Sequence, residues 1–140
     1  VGGTVSGHEG PDFVIKEEIM ANKKTWSAND IMNWQAKTFP RSTVEGQIEK
    51  FCEEFVEVSE AHAAKSPATV IADELADMFI AACGILRLNV VAGTKAFSDL
   101  LNVQCALEVS GRRLNNAINR KMRINAARKW RYRDGLYKQV

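Results

Sequence analysis

Five carboxylates fall within 25 residues, as Glu53-Glu54-Phe55-Val56-Glu57 and then Glu74-Leu75-Ala76-Asp77. Both stretches read as helical, and in a helix each residue advances by about 100°. Glu53, Glu54 and Glu57 then lie at about 0°, 100° and 40°, on one side of their helix. Glu74 and Asp77 are three apart and are therefore neighbours on one face. Two such helices packed side by side make a cage of hard oxygen ligands, whose natural occupant is Mg²⁺ or Mn²⁺. Taken alone, the first cluster reads equally well as a solvated acidic face, because glutamate is a common surface helix former.

The helices that must hold these groups decide between the two readings. Ser42 or Thr43 can cap a helix over 44–64. With Glu53 at 0°, its apolar stripe of Phe51, Phe55 and Val58 falls at about 160°, 200° and 140°, away from the motif carboxylates. Ser66-Pro67 starts the next helix, with Ser66 as cap, and it extends to about Asn89. That helix is apolar nearly all round, so it belongs in an interior. Val70, Met78, Ala81, Ile85 and Leu88 surround Glu74 and Asp77 on it. Burying an unpaired carboxylate costs on the order of several kcal/mol, so both need a cation, either a metal or a neighbouring Lys or Arg. Helices joined by a short connection pack antiparallel, which brings carboxylates to carboxylates and favours the metal.

With 46% apolar residues, 3 Pro and 9 Gly in 140 residues, the chain reads as one all-α domain, a bundle of four to five helices. Residues 1–26 are expected to form a flexible arm with room for a short helix over 12–23, residues 27–135 the domain, and residues 136–140 a tail. Ser27 caps a helix that carries Ile31, Trp34 and Gln35 and stops before Pro40. A lone Trp on such a helix is more often core than a base-stacking wall. Ala92-Gly93-Thr94 breaks the chain, Thr94 caps a helix over 95–108, and after Ser110-Gly111 a last helix spans 112–130.

On that last helix Lys121, Asn125 and Arg128 fall at about 0°, 40° and 340°, one short polar stripe. An ammonium, an amide and a guanidinium in line suit a triphosphate and the edge of a sugar or base, although spacing alone favours a solvent face. The net charge is +2, but Arg112 to Lys138 carries 10 Lys/Arg against Asp134 alone. A basic helix of this kind also suits a nucleic-acid-binding module, the alternative function. Cys52, Cys83 and Cys105 form no C-x-x-C pair and read as reduced core thiols, and with no secretory pattern visible the expected location is cytoplasmic. The longest apolar run, Met78 to Leu86, has 9 residues, too short to span a bilayer. A di-iron carboxylate bundle is disfavoured, since neither His8 nor His62 follows a Glu at the E-x-x-H spacing.

The pattern E-E-x-x-E, a gap of 16 residues, then E-x-x-D resembles the signature of the MazG-like all-α nucleoside triphosphate pyrophosphohydrolases. The stretch 121–130 resembles the family's K-x-x-x-N-x-x-R segment, and Arg133-Asp134-Gly135 its usual ending. The stretch Trp34-Gln35-Ala36-Lys37-Thr38-Phe39-Pro40 looks closest to phage-associated members that hydrolyse purine deoxynucleotides. The resemblance covers 31–135. It departs in the 43 residues between Asp77 and Lys121, more than compact members carry, with the extra length around 91–111.

What the resemblance implies is hydrolysis of a (deoxy)nucleoside triphosphate, dGTP or dATP, to the monophosphate and pyrophosphate. It implies two or three Mg²⁺ or Mn²⁺ ions held by Glu54, Glu57, Glu74 and Asp77, with Glu53 as base or further ligand. Lys121 and Arg128 would neutralise phosphate, Asn125 would bind sugar or phosphate, and Trp34 and Gln35 would hold the base. It also implies a homodimer or homotetramer whose association completes the bundle. Divalent ions suit this chemistry because they lower the pKa of bound water and clamp the attacking and leaving oxygens. Glu57→Gln is expected to abolish turnover while leaving the fold intact; full activity in that variant contradicts the assignment.

Overall fold

The computed structural model describes residue 23 and residues 25–140. The arm expected over 1–26 and the short helix over 12–23 therefore lie almost wholly outside the described residues. Within them the chain forms α1 (Ala28–Thr38), α2 (Val44–Ala63), α3 (Ala68–Leu86), α4 (Val90–Ala106) and α5 (Gly111–Ala127), then β1 (Trp130–Arg133) and β2 (Leu136–Gln139). The fold is thus mostly helical, as the all-α expectation has it, with a small hairpin added. No helix among the described residues is long and apolar enough to cross a membrane.

Local chemistry starts and stops most of these elements. Ser27 and Asp30 form a reciprocal capping box at the start of α1, with bonds of 3.0 and 3.1 Å. Thr43 Oγ1 accepts from the Gly46 N–H at 3.1 Å and caps α2. At the other end of α2, Lys65 takes a left-handed φ of 56°. The Ser66 N–H there reaches Ala61 O and the Lys65 N–H reaches His62 O, each at 3.0 Å. This Schellman arrangement satisfies the last carbonyls and sends the chain back. α3 starts one residue later than expected, with Pro67 at its N-cap and no side-chain cap bond from Ser66.

Helix α3 is the hub. Ala72, Leu75, Ala76, Met78, Ala81, Ala82, Cys83, Gly84 and Ile85 are buried along it, and α1, α2, α4 and α5 all pack on it. The many small side chains let four elements approach one helix closely. α2 contributes Phe51 and Val58 to the seam, together with Glu54, which is only 4% exposed. Phe55, expected in the stripe, is instead 45% exposed. The buried face of α2 is rotated toward Glu54 because α3 approaches on that side.

Three further expectations are corrected. The chain turns at 87–89, not at 92–94: α3 ends at Leu86, and Asn89 Oδ1 accepts from the Ala92 N–H at 2.9 Å to start α4. Gly93 lies inside α4, pressed against the backbone of Leu86. The last helix stops at Ala127, where Arg128 turns extended at ψ 155°. Asp134 and Gly135, at φ 54° and 81°, then supply the two left-handed residues of a two-residue hairpin turn. Arg133 pairs with Leu136 across it, and Tyr132 with Tyr137, so the segment expected as a tail, 136–140, contains β2. Lastly, only Cys83 is a core thiol, its pKa pushed up to about 12 by burial, whereas Cys52 and Cys105 are exposed.

Three contacts tie the ends of the described chain to the bundle. Trp26, placed by the sequence in the arm, is 6% exposed, and its backbone N–H donates to Asn119 Oδ1 at 2.8 Å. The Arg41 N–H donates to the Tyr137 hydroxyl at 3.0 Å, and the Arg41 guanidinium lies 4.8 Å from the centre of the Tyr132 ring. Gly93 gives a direct test of the α3–α4 corner. A Cβ there meets the Leu86 backbone, so Gly93→Ala is expected to lose about 1–3 kcal/mol of stability by urea unfolding. An unchanged midpoint contradicts this packing.

Candidate functional site

A cavity of about 350 Å³ opens between α1, α2, α3, α5 and the hairpin. Its walls differ in chemistry. Glu54 and Asp77 line its acidic side, Lys50, Lys121, Asn125 and Arg128 its basic side, and Trp34, Phe39, Trp130 and Tyr137 an aromatic end. Gln35 and Gln47 also border it.

The acidic side is built by α2 against α3. Glu54, Glu57 and Glu74 each place one carboxylate oxygen within 4.8 Å of the others. Three carboxylates this close repel one another, and burial adds to the cost of charge on Glu54 and Glu74, whereas Glu57 is exposed. Burial accordingly raises the pKa of Glu54, with the Lys50 ammonium opposing and Glu57 reinforcing the shift. Glu74 is raised by burial and by the charge of Asp77. Asp77 is raised by burial against the pull of Lys121.

Two lysines offset part of this load. Lys50 Nζ lies 2.8 Å from Glu54 Oε1, one helical turn away, and Lys121 Nζ lies 3.2 Å from Asp77 Oδ2. Burial works to lower the Lys50 pKa, but its bond to Glu54 and the charges of Glu54, Glu53 and Asp77 outweigh that, and the net shift is upward. Glu54 Oε2 and Glu74 Oε2 stay buried with no hydrogen-bond partner. Glu74 has no ion-pair partner among the described residues. A divalent cation fits this arrangement: the donors are hard carboxylate oxygens, they already converge, and two carboxylates carry orphaned oxygens.

The sequence-derived candidates are distributed as follows. Glu54, Glu57 and Glu74 come together as expected of ligands. Asp77 lies outside that trio, paired with Lys121 at the cavity wall. Glu53 is exposed and belongs neither to the trio nor to the lining. Lys121, Asn125 and Arg128 share the basic wall, although Arg128 reaches it from the cap of α5, its Nη1 donating to Asn125 Oδ1 at 3.4 Å. Trp34 is both core and lining: it is 8% exposed and meets Phe39 edge to face at 5.2 Å. Gln35 is 4% exposed, and its Nε2 donates to Ile80 O at 2.9 Å.

Sequence reasoning missed Lys50, Gln47, Phe39, Trp130 and Tyr137. Lys50 had a usable signal, since it stands four residues before Glu54 on the same face. Tyr137 and Trp130 did not, because their place depends on the hairpin folding back. Trp130 packs on Phe39 at 5.1 Å, and its Nε1–H donates to Asn125 O at 3.2 Å, which fixes the aromatic end to the basic wall.

Comparison of the chain with protein-family models, with curated proteins and with solved structures gives no match.

The raised Glu74 pKa predicts a pH signature in metal-free protein. A carboxyl with a folded pKa above its unfolded value gives full stability below the unfolded pKa and loses it as pH rises through the folded one. Relative to Glu74→Gln, the native chain is therefore expected to lose melting temperature as pH rises above the ordinary glutamate value of 4.5. At neutral pH the Gln variant should melt higher, by on the order of a few degrees, and the gap should close near that value. Equal melting at all pH values contradicts the crowding at Glu74.

Proposed function

We propose that the chain hydrolyses a nucleoside triphosphate, dGTP or dATP, to the monophosphate and pyrophosphate with Mg²⁺ or Mn²⁺. The observation that carries this reading is one cavity joining an aromatic end, a wall of three cations and an amide, and an acidic side where Glu54 belongs both to the lining and to a carboxylate trio with orphaned oxygens. A nucleotide has the matching parts in the matching order: a flat base, a sugar, an anionic phosphate chain and its divalent ions.

Glu54, Glu57 and Glu74 are the residues that would hold the cation. When bound, it supplies charge neutralisation at the phosphates and lowers the pKa of a water. Lys50, Lys121 and Arg128 bind the phosphate oxygens, and each change of partner from carboxylate to phosphate keeps the lysine charge compensated. Asp77 holds Lys121 at the wall and sets where its ammonium points. Asn125 offers both a donor and an acceptor to the sugar or a phosphate. Trp34, Phe39, Trp130 and Tyr137 enclose the base and exclude water from it. Glu53 is given no step, since it belongs neither to the carboxylate trio nor to the lining.

The bundle is completed by a second copy. Ile48, Phe55 and Val56 are 39%, 45% and 51% exposed on α2, and their burial between copies would back the helix that carries the carboxylates.

Incubation with each dNTP and NTP plus Mg²⁺ or Mn²⁺, with pyrophosphate measured against orthophosphate, tests the reading. Pyrophosphate is the expected direct product, and orthophosphate as direct product contradicts the mechanism. No hydrolysis, together with salt-sensitive binding to DNA, favours the nucleic-acid-binding alternative through the basic α5.

A further inference from the structure

The cavity lining includes two carboxamides that none of the phosphate chemistry uses. Gln35, on α1, is 4% exposed. Its Nε2 donates to Ile80 O at 2.9 Å. A carbonyl accepts and cannot donate, so the amide cannot be flipped without setting two oxygens against each other. Oε1 is thereby left as the free end, buried and with no hydrogen-bond partner. Gln47, on α2, lines the same cavity. Both amides sit over Gly84 of α3: a Cβ on that glycine would run into Gln47 Oε1 and would lie 3.5 Å from Gln35 Nε2. The bare glycine is the notch in which the two amides meet.

We propose that Gln35 and Gln47, seated over Gly84, form a reader of the base edge that requires an N–H donor there, from an exocyclic amino or a ring imino group, with Gln35 Oε1 as its fixed acceptor. An unpaired buried acceptor is a standing cost that a ligand removes only by bringing a donor. Sites built to hydrogen-bond a group reject analogues lacking it far more strongly than apolar pockets reject a missing methylene. Gln47, half-buried on a flexible stem, supplies the adjacent donor or acceptor that an amino or imino edge needs beside its N–H. The substrate class is thus a nucleotide with an amino- or imino-bearing base, as against a heterocycle whose edge offers acceptors alone. This inference rests on the nucleotide reading of the cavity.

Calorimetric binding of deoxynucleoside monophosphates tests it without turnover. dAMP and dGMP are compared with purine deoxyriboside monophosphate, and dCMP and dTMP with pyrimidinone deoxyriboside monophosphate; both comparators carry neither an exocyclic amino nor a ring imino N–H on the base edge. The natural nucleotide that binds most tightly is expected to exceed its comparator by about 10-fold or more. Gln35→Met is expected to bring the two together. Gly84→Ala should displace Gln47 and narrow the gap, while melting no lower than the parent, because Ala is the better helix residue. Comparators that bind the unmodified protein as tightly as the natural nucleotides overturn the edge reader and leave triphosphate hydrolysis standing, as does an unchanged ratio in Gln35→Met. Binding of none of them, with no hydrolysis of any triphosphate, overturns both.

Discussion

The packing of α2 on α3 brings buried Glu54 and half-buried Glu74 together with exposed Glu57 at the edge of an apolar seam, where desolvation makes charge on the first two expensive and mutual repulsion adds to it. A purely structural seam would have no use for this. Leu75, Met78 and Val58 close by show that the same interface readily accepts aliphatic side chains, and replacing buried ionic groups by apolar ones is often neutral or stabilising. The electrostatic load is met halfway by Lys50 and Lys121, each drawn onto a carboxylate from the cavity side. Those two lysines are thereby held where an anion entering the cavity meets them. The carboxylates keep two orphaned oxygens even so, and it is this residue of unmet charge that makes a cation the natural complement.

The rest of the molecule serves that seam. The Schellman turn after α2 reverses the chain within residues 64–67 and sets Glu57 opposite Glu74. The run of Ala and Gly along α3 lets α5 come close enough for Lys121 to reach Asp77. The hairpin folds back over α1 and the end of α5, so that Tyr137 and Trp130 close the end of the cavity farthest in chemistry from the carboxylates. The lining thus combines aromatic rings, two amides, cations and carboxylates.

The parts legible in the sequence are those set by neighbours along the chain. Ser27 and Thr43 cap their helices because their hydroxyls reach an N–H three residues on. The all-round apolar character of α3 places it at the centre, and the spacing of Lys121, Asn125 and Arg128 puts them on one wall. What could not be read depends on which surface meets which. Glu54 is buried and Phe55 is not because α3 lies against one side of α2, a choice that helical angles alone leave open. Thr94 is the expected cap, but Gly93 packs against Leu86 from within α4, a tertiary contact, and Asn89 takes the capping position instead. The Asp134-Gly135 turn carried a hairpin signal of its own, but a helical pattern extended to Trp130 masked the strands on either side.

The central claim is that the carboxylate seam is a cation site, and Mn²⁺ titration followed by electron paramagnetic resonance reads it without reference to any substrate. The account predicts saturable loss of the free Mn²⁺ signal at neutral pH, competed by Mg²⁺ and removed by the combined Glu54→Gln and Glu74→Gln substitutions in a protein that keeps its helical circular dichroism. A signal that falls no further than with a non-binding control, or saturable binding that survives both substitutions, would contradict it.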